Sequence, residues 1–263
     1  MAEKNKVAMT FMDHLRELLT RLRTILYAVI ISTVIAMLVP VNLDFLTVSS
    51  ENPFYATITS QVIRNLEDRF RPAGAELLPL SPLAPAEVYF FVSIILGILI
   101  SSPVISYELY KFINPALHKH ERKDALQFVA AFAGLFIFGF ALGYLFIVPM
   151  TMRVLFFFAD LLDLPPWYDF SAFFSTIGFS LLLCGLIFTF PTYIVLLVKA
   201  GILKTRLITK NRKYLYGGLL VLIAILDPEP GLITESVVFI PLVILTEVSI
   251  FIAKRIEKAR IQS

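Results

Sequence analysis

The sequence has one cysteine, three histidines and few charged residues for a chain of 263 residues. Because Cys184 is the only thiol, no disulfide can form within the chain. The sequence contains no glycine-rich phosphate loop, no metal-spaced group of histidines and cysteines, and no nucleophile elbow. It therefore predicts neither a metal site nor a cofactor, and no soluble-enzyme active site.

Apolar residues dominate what is present. They make up 58% of the chain, with 24 phenylalanines, and the mean hydropathy is +0.81. Charged residues reach only 16%, against about 25% in soluble domains, and they crowd into short segments between long neutral runs. A charge at the hydrocarbon centre costs at least ~2.5 kcal/mol, so a bilayer imposes this segregation. The composition predicts an all-α integral membrane protein.

Six transmembrane helices are predicted, since about 20 mainly apolar residues cross the ~30 Å hydrocarbon core. The predicted spans cover residues 24–43, 88–107, 125–149, 170–198, 214–227 and 233–253. The last two are short or interrupted, and the sequence Asp-Pro-Glu-Pro-Gly between them ends a helix and reverses the chain. Spans five and six are therefore expected to form a short-span hairpin within a single membrane domain, 1–263.

The basic residues indicate the orientation. With the N-terminus inside, nineteen lysines and arginines fall on the cytoplasmic side and four outside. The positive-inside rule then predicts that both termini are cytoplasmic. Because these residues flank the spans, the net charge of +3 is interpreted as topological, and no nucleic acid is expected as a partner.

Segments 44–87, 150–169 and 228–232 are then extracytoplasmic loops. Within the first loop, apolar residues recur at helical spacing and predict a short amphipathic helix: Ile58, Val62, Ile63, Leu66 and Phe70. Residues 152–163 are interpreted as a second, interfacial helix, with Trp167 and Tyr168 as interface anchors.

Four carboxylates lie at the predicted cytoplasmic face, which is otherwise basic: Glu17, Glu108, Glu121 and Glu247. One interpretation is local pairing, of Glu17 with Arg21 four residues on and of Glu121 with its basic neighbours. The other is a concave acidic site for a cationic peptide, because a carboxylate binds guanidinium in a bidentate and specific way. Glu108 and Glu247 lie partly within apolar runs, and an acid at that depth needs an internal cation or an incoming one.

Several motifs resemble those of the TatC family, the multispanning receptor subunit of the twin-arginine protein translocase. They include His14-Leu15-Arg16-Glu17-Leu18 and the segment from Ser102-Pro103 and Tyr107-Glu108 to Lys119-His120-Glu121-Arg122. Further matches fall in spans three and four, before span five, and at Pro241 and Glu247 in span six. The resemblance covers essentially the whole chain.

The resemblance implies that Glu17 and Glu121 bind the twin-arginine motif of signal peptides at the cytoplasmic face. It also implies TatA/TatB-type single-span partners, homo- and hetero-oligomers, and export of folded cargo across a prokaryotic plasma membrane, driven by the proton-motive force. No covalent chemistry, and so no enzyme, is implied. One departure is Thr189, a polar site in span four where many members carry Glu or Gln.

A secondary transporter of a small solute or ion is the alternative function. It would require charges near the membrane midplane and two repeated halves, and the sequence shows neither. An intramembrane enzyme would require a Ser/His pair, paired aspartates or a metal motif within the spans, and none is present.

Overall fold

The computed structural model describes residues 11–41, 56–113, 122–226 and 232–262. Its elements, in chain order, are α1 Phe11–Leu38, α2 Ile58–Phe70, β1 Glu76–Leu78, α3 Ala84–Ile113, α4 Arg122–Leu142, a π-helical segment Gly143–Ile147, α5 Val148–Leu161, β2 Trp167–Asp169, α6 Phe170–Lys199, α7 Thr205–Lys210, α8 Arg212–Leu226 and α9 Leu232–Gln262. The protein is an all-α integral membrane protein, and the described residues include only two strands, of three residues each.

Among the described residues, five helical segments are long and apolar enough to cross a membrane. They are Leu15–Leu38, Ala84–Phe112, Ala125–Leu161, Phe170–Lys199 and Glu235–Lys258. The predicted fifth span falls in α8, whose 15 residues measure about 22 Å at 1.5 Å per residue. That is shorter than the ~30 Å hydrocarbon core. The number of six spans therefore stays a prediction.

Helix α6 lies at the centre of the bundle. It packs against α3, α4 and α9, and its buried residues include Phe174, Ile177 and Phe188, all less than 1% exposed. Helix α1 is at the periphery, packed mainly on α3 and leaving most of its apolar side chains exposed. Such a surface fits a helix that faces lipid or a partner helix.

The segment predicted as the third span is longer than its predicted end at residue 149. Helix α4 continues through the π-helical residues 143–147 into α5 and ends at Leu161, so that the interfacial helix predicted at 152–163 belongs to the same continuous helix. Pro149 stands in the first turn of α5, directly after the π-helical turn. The wider turn accommodates the missing proline N–H, so Pro149 does not end the helix.

The amphipathic helix predicted in the first loop is present as α2. Leu66 and Phe70 are buried, and Val62 and Ile63 pack beside them on Val88, Val148 and Phe174. Hydroxyl groups attach α2 to the bundle. Thr59 Oγ1 donates to Ala36 O at 3.0 Å and lies 3.0 Å from Ser93 Oγ, while Thr57 Oγ1, at the N-cap of α2, lies 2.9 Å from Tyr89 OH of α3.

Strands β1 and β2 pair in parallel, with Glu76 opposite Trp167 and Leu78 opposite Asp169. The sequence did not predict this pairing. β1 precedes α3 and β2 runs directly into α6, where Asp169 caps the helix by accepting hydrogen bonds from the backbone N–H groups of Ser171 and Ala172. The small sheet therefore joins the starting ends of α3 and α6.

Candidate functional site

Three charged side chains of α1 and α3 meet at one end of the bundle. Arg21 Nε donates to Glu17 Oε1 at 3.1 Å, and Arg21 Nη2 donates to the same oxygen. Arg21 Nη1 donates to Glu108 Oε2 at 3.1 Å, across to α3. One guanidinium therefore bridges two carboxylates that stand 91 positions apart in the chain.

A fourth side chain completes this group. Lys111 Nζ lies 3.6 Å from Glu108 Oε1, so the two oxygens of Glu108 bind different cations. Side-chain exposure falls from 34% at Lys111 to 20% at Arg21, 18% at Glu17 and 10% at Glu108. Because Glu108 is the most buried, it depends most on its cationic partners.

The same side chains line a cavity of about 500 Å³. Its lining residues are Arg16, Glu17, Thr20, Arg21, Thr24, Glu108 and Lys111. Glu17 Oε2 is buried there, and among the described residues no donor lies within hydrogen-bond distance of it. The cavity therefore contains a carboxylate oxygen that can accept a further hydrogen bond from a bound group.

The register of α1 against α3 creates this arrangement. The two helices run antiparallel and approach closely at Thr33 and Gly97, where a Cβ on Gly97 would stand 2.1 Å from Thr33 Oγ1. Arg21 precedes Thr33 by twelve residues and Glu108 follows Gly97 by eleven, a rise of about 17 Å along each helix. The close approach in the middle of the pair therefore brings Arg21 and Glu108 to the same level.

The structure describes two of the three predicted site residues, Glu17 and Thr189. Glu17 lines the cavity and forms the local pair with Arg21 that its spacing indicated. Glu121 lies outside the described residues. Thr189 is fully buried in α6 and donates from Oγ1 to Leu186 O at 2.7 Å, and among the described residues no hydrogen bond links it to Glu17.

Glu108 joins the cavity although the sequence assigned it no binding role. The signal available in the sequence was a carboxylate at the end of an apolar run, which requires a cation. The sequence does not show which cation pairs with Glu108, because Arg21 lies 87 positions away in the chain. Glu247 shows the same behaviour elsewhere: Arg212 Nη1 lies 3.0 Å from Glu247 Oε1, and Tyr216 OH donates to that oxygen.

Over the described ranges, no group of three or more histidine, cysteine, aspartate or glutamate side chains lies close enough together to hold a metal ion. The charged groups of the cavity are carboxylates and the nitrogen cations of arginine and lysine. Such groups form ion pairs and hydrogen bonds with a bound molecule directly.

The fold and the cavity together define a class: a polytopic helical membrane protein with a carboxylate-containing cavity at one end of its bundle. Comparison with known families identifies the family within this class. Residues 13–241 match the family described as Sec-independent protein translocase protein (TatC), and the chain belongs to this family.

Individual relatives agree with this assignment. The Sec-independent protein translocase protein TatC of Aquifex aeolicus is 29% identical over 248 residues, which cover 94% of this chain and 95% of the relative. The TatC of a Blattabacterium is 30% identical, with 98% of this chain and 99% of the relative covered. Among solved structures, the crystal structure of the twin-arginine translocase receptor TatC matches with a TM-score of 0.69 and 28% identity, covering 92% of this chain and 99% of that one.

The family assignment confirms the resemblance that the sequence motifs indicated and favours a protein translocase component over a secondary transporter.

Proposed function

We propose that this protein is the receptor subunit of a twin-arginine translocase and binds the twin-arginine signal peptides of folded cargo. The observation that carries the proposal is Glu17: its carboxylate already binds a guanidinium, lines a cavity of about 500 Å³ and retains a buried oxygen without a described donor. A peptide arginine would present the same chemical group to the same carboxylate.

The proposed binding carboxylates are Glu17 and Glu121. Glu17 supplies the acceptor within the cavity, and Glu121 lies in the sequence between Ile113, where α3 ends, and Arg122, where α4 begins. A motif of two arginines requires more than one carboxylate, since each guanidinium can engage a carboxylate with two parallel N–H donors. Lysine cannot reproduce this planar arrangement, which gives the site its selectivity for arginine.

The proposed orientation places this cavity at the cytoplasmic face of a prokaryotic plasma membrane, with both termini inside. The excess of lysine and arginine in the segments at that end supports it. Signal peptides enter from this side, because cargo is made and folded in the cytoplasm. Thr189, bonded to its own helix, is proposed as a buried polar site of span four that cannot titrate.

The proposed partners include TatA/TatB-type single-span proteins, further copies of this chain and the bilayer lipids. Helix α1 supports such contacts by exposing a row of large apolar side chains, each at least 48% exposed: Leu19, Leu22, Leu26, Ile30 and Ile31. Transport would then use the proton-motive force, and no bond is made or broken, so the protein is not expected to be an enzyme.

The test is direct binding of a labelled signal peptide to the purified protein in detergent or nanodiscs. Peptides with Arg-Arg and with Lys-Lys are compared, and we expect the Arg-Arg peptide to bind at least ~10-fold more tightly. The variant Glu17→Ala combined with Glu121→Ala should lose this preference. Glu67→Ala is the matched control, because Glu67 forms the same type of pair with Arg71 on α2, at 3.2 Å. An unchanged preference in the double variant would refute the site.

A further inference from the structure

We infer that Glu108 is a further binding residue of the signal-peptide site and that Arg21 occupies Glu17 and Glu108 in the empty receptor, so that a peptide guanidinium binds by replacing Arg21. This inference rests on the proposed function and adds to it a residue, Glu108, and a competitor, Arg21. Its basis is the single guanidinium that bridges both carboxylates.

The first argument concerns geometry. Arg21 uses Nε and Nη2 on Glu17 and Nη1 on Glu108, which engages both carboxylates at once. The space between Glu17 and Glu108 is therefore already shaped for a guanidinium, with the donor directions that a planar fork requires. Both carboxylate acceptors are already in place for a peptide arginine that enters the cavity, and it has to displace only the Arg21 guanidinium.

The second argument concerns charge. The cavity is lined by three cations, Arg16, Arg21 and Lys111, and by two carboxylates. With Arg21 in position the lining has no excess of negative charge to attract a cationic peptide. Withdrawal of Arg21 would leave two carboxylates facing the cavity, with Lys111 holding only Oε1 of Glu108. With Arg21 in position the lining carries one net positive charge, and without it the charges of Arg16 and Lys111 equal those of the two carboxylates. The peptide guanidinium then takes up the place and the charge of Arg21.

The third argument concerns the burial of Glu108. Its side chain is 10% exposed, and an ionised carboxylate at that depth is unstable without a cation. An exchange of one guanidinium for another keeps Glu108 neutralised in both the empty and the loaded receptor. A lysine side chain from a Lys-Lys peptide supplies a point charge without the fork, so it replaces Arg21 poorly.

The exchange also accounts for the buried carboxylate oxygen of Glu17 that has no described hydrogen-bond donor. Arg21 places two donors on Glu17 Oε1 and leaves Oε2 buried without a described partner. A guanidinium that arrives from the peptide can engage both oxygens of Glu17 in the bidentate form that Arg21 does not adopt. The peptide guanidinium can therefore make a contact with Glu17 that Arg21 does not make.

The test measures the affinity of the full-length protein, in nanodiscs, for the Arg-Arg peptide. Arg21→Gln removes the competitor and should bind about 10-fold more tightly or better, whereas Glu108→Gln removes the negative charge and one of the two acceptor oxygens and should bind at least ~10-fold more weakly. Arg23→Gln is the matched control: it removes the same charge from the same helix, but Arg23 contacts Tyr27, with Nε 2.9 Å from the hydroxyl oxygen. It should change affinity less than about twofold.

Arg21→Gln leaves two carboxylates without a guanidinium and can fail to fold. Arg21→Lys keeps the charge and loses the fork, so it should fold and bind the peptide a few times more tightly than the native chain. In the Glu108→Gln background, the gain from removing Arg21 should shrink, because the two residues then no longer interact.

The outcomes separate the two hypotheses. A native protein that does not distinguish Arg-Arg from Lys-Lys overturns the proposed function and this inference with it. If the native protein prefers Arg-Arg but neither Arg21→Gln nor Arg21→Lys binds more tightly, Arg21 is not a competitor. Equal tightening by Arg23→Gln would reduce the effect to general electrostatic attraction, and unchanged affinity of Glu108→Gln would exclude Glu108 from the site.

Discussion

Gly97 of α3 lies directly against Thr33 of α1, so close that a Cβ on Gly97 would stand 2.1 Å from Thr33 Oγ1 and 3.0 Å from Thr33 N. A side chain at this position would overlap Thr33 Oγ1 and press against the backbone of α1, so glycine allows the two helices to approach this closely. The contact sets the distance and register of the two helices. It therefore also sets the position of Arg21 relative to Glu108.

The substitution Gly97→Ala should destabilise the protein by about 1–3 kcal/mol, because the added methyl group forces α1 and α3 apart. We expect a lower midpoint of thermal unfolding in detergent and weaker binding of the Arg-Arg peptide. Gly134→Ala is the control, since a Cβ on Gly134 meets nothing within 4 Å. It should leave the midpoint unchanged or raise it, and equal losses in both variants would exclude a specific contact at Gly97.

Tyr89→Phe should cost about 1 kcal/mol of stability, because the phenol donates to Met37 O at 2.7 Å and lies 2.9 Å from Thr57 Oγ1. These bonds hold the end of α1 and the start of α2 on α3. The measurement is hydrogen exchange at the start of α2, which should become faster. Tyr27→Phe, at an exposed phenol that only accepts from Arg23, should not change it.

Glu257→Ala should release the short helix α7 from α9. Glu257 Oε2 accepts from the backbone N–H of Thr205 at 3.1 Å and from its hydroxyl group, so it supplies the cap that Lys204 does not provide at the N-terminus of α7. We expect faster hydrogen exchange over 205–210. Lys258→Ala removes the exposed neighbouring side chain and should leave α7 protected; similar exchange in both variants would contradict the capping role.

The thiol of Cys184 should resist alkylation in the folded protein, because the residue is 5% exposed and packs in the core with Phe188. A membrane-permeant maleimide should modify it only after unfolding. A variant with Cys184→Ser and Leu80→Cys, at a loop position that is 76% exposed, should react at once. Rapid labelling of native Cys184 would show that the centre of the bundle is open.

The amphipathic helix α2 could be predicted because its five apolar residues recur at helical spacing and bury one face. The pairing of β1 with β2 could not, since three-residue strands 91 positions apart carry no local signal. The continuation of α4 into α5 was also missed. The apolar run does not show that the helix continues past Pro149 to Leu161, through the π-helical residues 143–147.

The candidate site was predictable in part for the same reason. The pairing of Glu17 with Arg21 follows from a spacing of four residues on one helix. The second contact of Arg21, with Glu108, depends on the register of two helices, and this is determined at Thr33 and Gly97, far from either charge. Sequence motifs indicated that Glu17 matters, but only the packing of α1 on α3 shows which side chain shares its guanidinium.

The two-stranded sheet clamps α3 and α6 at one end only. From the start of α3 to Glu108 the helix rises about 36 Å, so a tilt of roughly 5° at the sheet moves Glu108 by about 3 Å. That displacement is as large as the 3.1 Å separation between Arg21 Nη1 and Glu108 Oε2. The sheet alone therefore cannot hold Glu108 within reach of Arg21, and the ion pair depends on the packing of α3 along its whole length against α1, α4 and α6.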